Sequence, residues 1–365
     1  MQPTARLLIA VARQFLGTAT PGEVQERIEG INDWSGVAAR AREEGLEGIL
    51  VQVCQVLRLD LPLQDCRERV LRAVQLNVDY VRLLNVLGME AERRGLRMLL
   101  LKGGALLPRV YAGRVGRRPL RDLDVLVRPA DADRMRTLLL DQGFRGRGDV
   151  MAQGRLTVDL HTSLVSATRI RQRAATFDFN EDLLWETSLP LNSGLPAVRI
   201  LDPTYEFCYL AVHALKHSFE RLIWLIDLAL LQPPAVGDRL LAVATQTRTR
   251  RVLTYVMVLL ESVLGYPPLA GGESLRVPLD LFEERFLRAV QRRHIPEAMG
   301  ELVAMRSLAG TSARARYLWE LCFPQPAVLA DSLGDMPPWL LYPRRFSQLV
   351  GKAVRERSRL WELFE

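Results

Sequence analysis

Cysteine is scarce in this 365-residue sequence: Cys54, Cys66, Cys208 and Cys322 stand far apart, with no CxxC pair. That spacing argues against a disulfide framework and against a structural zinc site. Long apolar runs are missing as well. The run at residues 7–11 is followed closely by Arg13, and it is too short for a membrane span. It also lacks the small-residue site of a cleaved leader, so it reads as a first amphipathic helix. The expectation is therefore a cytoplasmic protein with no membrane partner. No repeat, coiled-coil pattern or low-complexity tract is evident. Lysine is nearly absent, for among 49 basic residues only Lys102, Lys216 and Lys352 are lysine. A chain that elsewhere chooses arginine has a use for a compact ammonium at those positions.

What is present is ordinary for a folded chain. With 48% hydrophobic and 25% charged residues, the length suffices for two or three domains with substantial cores. A net charge of +7 is compatible with an anionic substrate without establishing nucleic-acid binding.

Residues 1–95 read as a helical domain, with apolar spacings of three and four over 34–57 and 70–94 and breaks at Gly45 and Gly95. The period then changes. Residues 97–101 form a short apolar run that suits a buried strand and stops at Lys102-Gly103-Gly104. Residues 121–127 alternate as a strand does, Pro129 opens a helix closed by Gly143, and the Gln153-Gly154 turn suggests a hairpin. Residues 96–200 are thus a small mixed α/β core. From 201 to 365 the chain is helical again. Asp202 is an N-cap, Pro233-Pro234 stop that helix, and the tail is interrupted by Pro324, Pro326, Pro337, Pro338 and Pro343. The expected fold is α+β, with a small mixed sheet flanked by N- and C-terminal helical domains.

Asp122-Leu123-Asp124 carries the chemistry. Alternation along a strand projects both carboxylates to one side, where they repel unless a cation sits between them. Mg²⁺ (or Mn²⁺) takes such carboxylates together with substrate phosphates. Thr157, Asp159 and His161 share a face of the next strand, so Asp159 supplies a third carboxylate. Three carboxylates can hold two metals for an in-line displacement at phosphorus. A solvated strand face is the bland alternative for Asp-Leu-Asp alone. Lys102-Gly103-Gly104, between strand and helix, is where bare backbone can meet phosphate, although Gly-Gly alone is often just a turn.

Taken together, Leu101-Lys102-Gly103-Gly104, Arg118-Pro119-Leu120-Arg121-Asp122-Leu123-Asp124-Val125-Leu126-Val127 and Val158-Asp159-Leu160-His161 resemble the bacterial uncharacterised nucleotidyltransferase family of the polymerase-β superfamily. The resemblance continues in His213-x-x-Lys216-His217, Arg221, Trp224 and Asp227. It implies an NTP, ATP being the expected one, a divalent metal, and transfer of a nucleotidyl group to an acceptor hydroxyl. The sequence departs from the pattern in a longer gap between Gly104 and Asp122, and in Gly104 where many relatives have Ser. Thr162 stands where an aromatic is expected.

Residues 203–231 read as one helix. At ~100° per residue, Glu206, His213, Lys216, His217, Glu220, Trp224 and Asp227 fall on one narrow stripe of an otherwise apolar surface, with Arg221 beside it. Buried charges must be paired or line a wet cavity; a stripe facing solvent is the plain alternative. Lys216 and His217 are assigned to phosphate or acceptor, with His213 and His161 beside them. The preference of Mg²⁺ for oxygen argues against histidine ligands. Arg118 and Arg121 are candidates for phosphate contact. The full assignment has Asp122, Asp124 and Asp159 as catalytic metal ligands. Lys102, Gly103, Gly104, Arg118, Arg121, Lys216 and His217 bind the nucleotide. His161, His213, Arg221 and Asp227 lie around the acceptor. The acceptor is expected to be a small molecule or peptide rather than nucleic acid. Three alternatives stay open: phosphoryl or glycosyl transfer on the same fold, a toxin-like enzyme acting on tRNA, and an inactive nucleotide-binding scaffold.

Overall fold

Strand β2 (Leu123–Leu126) runs through the middle of a seven-stranded mixed sheet and is buried along its whole length. The sheet order is β3 (Arg145–Arg147), β4 (Val150–Gln153), β5 (Leu156–His161), β2, β1 (Met98–Leu100), β7 (Val198–Ile200) and β6 (Leu189–Pro190). β2 pairs antiparallel with β1 and parallel with β5. β4 and β5 form the expected hairpin, with Gly154 at φ 57° in its turn. This computed structural model describes every residue except 166–169, 192–193, 234–235, 296–298, 309, 327, 330–335 and 356–365. Helices flank the sheet on both sides in sequence, so the fold is α+β. The buried apolar side chains form one cluster running from Leu7 to Ala304, with a smaller one at Ile170, Leu308 and Tyr317.

Local chemistry explains most element boundaries. α1 (Pro3–Leu16) begins with proline in its first turn, and α3 (Trp34–Glu44) is capped by the Asp33 carboxylate accepting from Gly36 N at 2.9 Å. Such caps are worth ~1 kcal/mol each. α4 (Glu47–Val56) and the long α5 (Gln64–Arg93) complete the N-terminal helices around α2 (Pro21–Ile28). After β1 comes the five-residue α6 (Lys102–Leu106), and α7 (Ala132–Asp141) separates β2 from the hairpin.

Two expectations need correction. Residues 203–231 are two helices, α10 (Pro203–Lys216) and α11 (Leu222–Leu231). Ser218 and Phe219 take φ of 55° and 52°, and their amides close the turn on Leu215 O and Ala214 O at 2.7 and 2.8 Å. The Ser218 hydroxyl accepts from Gly300 N at 2.9 Å, and a Cβ on Gly300 would stand 1.6 Å from Leu215 O. Tertiary packing of the helix Met299–Arg306 onto this turn therefore makes the break, with neither Gly nor Pro to announce it. α11 ends two residues before Pro233, while Pro234 lies outside the described residues. The second correction is Pro343, which sits inside the helix Pro338–Arg355. Its ring removes one backbone donor without ending a helix whose side chains there are largely exposed. Among the described residues no helix is long and apolar enough to cross a membrane.

Candidate active site

The parallel pairing of β2 with β5 sets Asp124 directly beside Asp159, and Leu126 beside His161. Facing residues of neighbouring strands project to the same side, so the two carboxylates meet above the sheet. Lys102 leaves β1 with φ of 51°, a left-handed conformation that costs a non-glycine residue of order 1 kcal/mol. Its Nζ lies 2.5 Å from Asp124 Oδ1. His161 Nε2 is 2.8 Å from the same oxygen and 3.3 Å from Asp159 Oδ2. One ligand atom each from Asp124, Asp159 and His161 fall within 4.8 Å of one another. The two carboxylate oxygens fit the divalent metal that the family pattern implies, and the imidazole nitrogen, which the oxygen preference of Mg²⁺ argued against, comes within reach of the same point.

Lys102 and His161 hold these carboxylates together by charge. Burial works against the Asp124 anion, yet the His161 hydrogen bond and Lys102 hold its carboxyl below the ordinary range. Burial also opposes the Lys102 ammonium, but Tyr209 and Asp124 raise it above the usual lysine range. Tyr209 is itself pushed up by burial and stays neutral at physiological pH, so Asp124 supplies that attraction. Burial would depress His161, but hydrogen bonds to Asp124 and Asp159 lift it to about 9. The imidazole is therefore cationic at neutral pH. Raised above the ordinary 6.5, it contributes stability in full below pH 6.5 and loses it as pH rises through about 9. A metal ligand must be neutral imidazole. The apparent affinity for Mg²⁺ should accordingly climb by up to about tenfold per pH unit between pH 7 and 9 and then level off. Calorimetric titration of His161→Gln should lack that slope; an unchanged slope would show that His161 does not compete.

Asp122 departs from the expected arrangement. It precedes β2, is exposed, and lies outside the tight cluster that His161 joins. It is still part of the same electrostatic unit. Burial by neighbouring atoms and repulsion from Asp124 raise its carboxyl above the usual range, while Lys102 pulls it down.

A cavity of about 390 Å³ opens over this face. Lys102, Asp159 and His161 line one side of it; Tyr209, His213, Lys216 and His217 from the end of α10 line the other. The break in the helix thus leaves these four residues together on one wall of the cavity. His213 meets His217 edge-on at 4.9 Å between ring centroids, and both pack against Trp224 at 5.2 Å. Burial and then Lys102 depress His213 well below its ordinary value, and burial and Lys216 push His217 down to about 4. His217 still presents open surface. Both imidazoles are neutral at physiological pH, offering hydrogen bonds without a fixed charge.

The remaining polar residues of the stripe are paired within the fold. Asp227 accepts from Arg118 Nε at 3.0 Å to both oxygens and from Tyr111 Oη at 2.8 Å. Arg118 and Asp227 are 7% and 2% exposed, which leaves Arg118 engaged with Asp227 rather than open to phosphate. Glu206 takes Arg109 at 2.6 Å. Arg221 donates to Glu43 O at 3.0 Å and lies over the Trp224 ring, outside the cavity lining. Arg121 is exposed, and its backbone carbonyl accepts from Tyr80 Oη at 2.9 Å.

Gly103 and Gly104 are buried, and packing alone accounts for their missing side chains. A Cβ on Gly103 would stand 2.6 Å from Leu120 Cδ2, and one on Gly104 2.8 Å from Leu123 Cδ1. Leu123 is 1% exposed and opens β2, the strand that carries Asp124. Gly104→Ser should therefore cost ~1–3 kcal/mol by overpacking. Urea denaturation reads it; a stability within 0.5 kcal/mol of wild type (roughly the noise of surface changes) would refute the packing account.

Sequence reasoning passed over Tyr209, whose place one turn before His213 was the available signal, and Arg173. It also passed over the far lining, Glu301, Glu320, Leu321 and Arg345, which no local pattern ties to the carboxylates. No curated protein and no solved structure matches the chain. A family model does, over residues 31–265, a span that holds the carboxylates, the lysines of the cleft and the His213-x-x-Lys216-His217 segment. The chain belongs to the uncharacterised nucleotidyltransferase family.

Proposed function

We propose that the chain is a metal-dependent nucleotidyltransferase of the polymerase-β type, moving a nucleotidyl group from an NTP to an acceptor hydroxyl. The observation that carries this reading is the in-register pair Asp124 and Asp159, with His161 within 4.8 Å, facing a lysine and histidine wall across one cavity. Asp122, Asp124 and Asp159, joined by His161, are the residues that would hold two divalent ions, Mg²⁺ or Mn²⁺. Such ions, when bound, neutralise charge on the transferring phosphoryl oxygens and make the acceptor hydroxyl more acidic.

The side chains do the rest. Lys102 and Lys216 place positive charge where the triphosphate must lie, and neutral His217 donates a hydrogen bond to it. The acceptor oxygen attacks the α-phosphorus and forms the new P–O bond. The bond from that phosphorus to the bridging oxygen breaks, and pyrophosphate leaves. The hydroxyl proton passes to Asp159 and from there to water. ATP is the expected donor, and the acceptor is a small molecule or peptide.

The test is incubation of the protein with Mg²⁺, cell extract and either α- or γ-labelled ATP. The α-label should appear in an acceptor and the γ-label in pyrophosphate. Transfer of the γ-label alone would replace this reading with a kinase reaction.

A further inference from the structure

The cavity has a second, chemically different half. Away from Asp159 it is lined by Leu164 and Val165 beyond β5, and by Ile170, Leu321, Pro324 and Val328, with Arg173, Glu301 and Glu320 among them. Arg345, from the helix Pro338–Arg355, closes this end; its guanidinium reaches only the Leu321 and Cys322 carbonyls, at 3.4 Å, and has no carboxylate partner among the described residues. Leu321, Pro324, Val328 and Arg345 all lie beyond residue 265, where the family match ends. Lys102, Asp159, His161, His213, Lys216 and His217 lie within it, whereas Glu301 and Glu320 lie beyond it.

Two ligands must share the cleft if the nucleotidyltransferase reading holds, and the lining separates them. A triphosphate needs cations, and a nucleobase needs ring faces or hydrogen-bonding partners for its polar edge. Lys102, Lys216 and the Tyr209, His213 and His217 rings supply these at the ionic end. At the aliphatic end Arg173 and Glu301 are paired with each other and Glu320 accepts from Gln172 N at 3.1 Å, while the apolar side chains between them can remove an apolar surface from water, at ~25 cal/mol per Å². The volume of about 390 Å³ lies at the small end of the range for sites that enclose small molecules. It has no room for a folded RNA or protein.

We infer that the aliphatic half is the acceptor subsite, built by the C-terminal segment, and that it takes a small hydroxyl-bearing molecule with an apolar body and an anionic group facing Arg345. Resting on the nucleotidyltransferase reading, this places the acceptor hydroxyl beside Asp159, with its apolar part against Leu321 and Val328. Arg345 meets its anionic end.

The probe is 1-anilinonaphthalene-8-sulfonate, an apolar ring system with one anionic group, used on the full chain alongside Mg²⁺–ATP. Its fluorescence should report a site that ATP does not displace. Val328→Asp and Leu321→Ser should weaken probe binding at least about tenfold, while ATP affinity by calorimetry stays within about twofold. Val328→Trp should fill the subsite and abolish α-label transfer with ATP binding intact. Trp319→Ser, on the outer face at 65% exposed, should leave the probe site unchanged, and thermal melting confirms that each variant folds. A tenfold loss of ATP affinity in Val328→Trp would assign this half to the nucleotide and overturn the inference. So would probe binding unaltered in both Val328→Asp and Leu321→Ser. Failure of the wild-type chain to bind ATP would sink the nucleotidyltransferase reading instead, and the probe arm would still decide whether this half takes an apolar anion.

Discussion

Asp124→Asn should lower α-label transfer by roughly 10³-fold, the loss expected when several kcal/mol of transition-state charge stabilisation goes with a metal-binding carboxylate. Asp124 is 4% exposed and accepts from both Lys102 and His161, so the amide also strands a buried ammonium. The variant should therefore melt earlier than wild type, and its Mg²⁺ affinity should fall with its rate. Asp122→Asn is the informative companion. Asp122 is exposed and makes no hydrogen bond within the described residues, so its replacement should leave the melting temperature unchanged while still lowering transfer at least about a hundredfold. Wild-type activity in Asp122→Asn would remove that residue from the catalytic set and leave Asp124, Asp159 and His161 as the whole of it.

The second large effect is on stability. Asp227→Ala leaves the Arg118 guanidinium and the Tyr111 hydroxyl buried without their shared acceptor. Breaking one side of a buried ion pair costs ~3–5 kcal/mol, whereas replacing both sides with apolar groups of similar volume is often nearly neutral. Urea denaturation should show that loss for Asp227→Ala and recover most of it in the double variant Asp227→Leu with Arg118→Met. A single-variant loss under 1 kcal/mol (roughly the worth of a surface pair) would mean that the pair is solvated and contributes little. A guanidinium buried against Asp227 and the Pro119 carbonyl is turned away from a nucleotide, so the double variant should also bind ATP as the wild type does.

The carboxylate wall was legible because a strand has a period of two. Once residues 121–127 and 156–161 read as strands, the faces of Asp124, Asp159 and His161 followed. Their contact did not, since the parallel register of β2 on β5 is set by the whole sheet. His161 illustrates the limit. Its type suggested a place around the acceptor or phosphates, yet its position beside two carboxylates makes it their counter-ion and a member of the metal-sized cluster. The Arg118–Asp227 pair, 109 residues apart in sequence, was invisible for the same reason, as was the break at Ser218-Phe219. That break is enforced by Gly300 packing far downstream rather than by a local turn residue. β3 was missed because Arg145-Gly146-Arg147 has no apolar alternation. The helix period did place His213, Lys216 and His217 on one side of α10, and all three reach the cleft.

The end of α10 at Lys216 has one more consequence. A helix C-terminus carries about half a negative charge, and this one, although the Ser218 and Phe219 amides take two of its last carbonyls, lies at the cleft wall where phosphates are expected. Backbone dipoles at this point repel an anion, in contrast to sites that bind phosphate at the opposite helix end. Lys216 is itself stabilised there, since a cation in the last turn gains ~0.3–1 kcal/mol from the same dipole. Attraction for the nucleotide must then come from mobile side-chain charges, whose field added salt screens over ~8 Å at physiological ionic strength. Nucleotide affinity in this protein should be correspondingly sensitive to ionic strength.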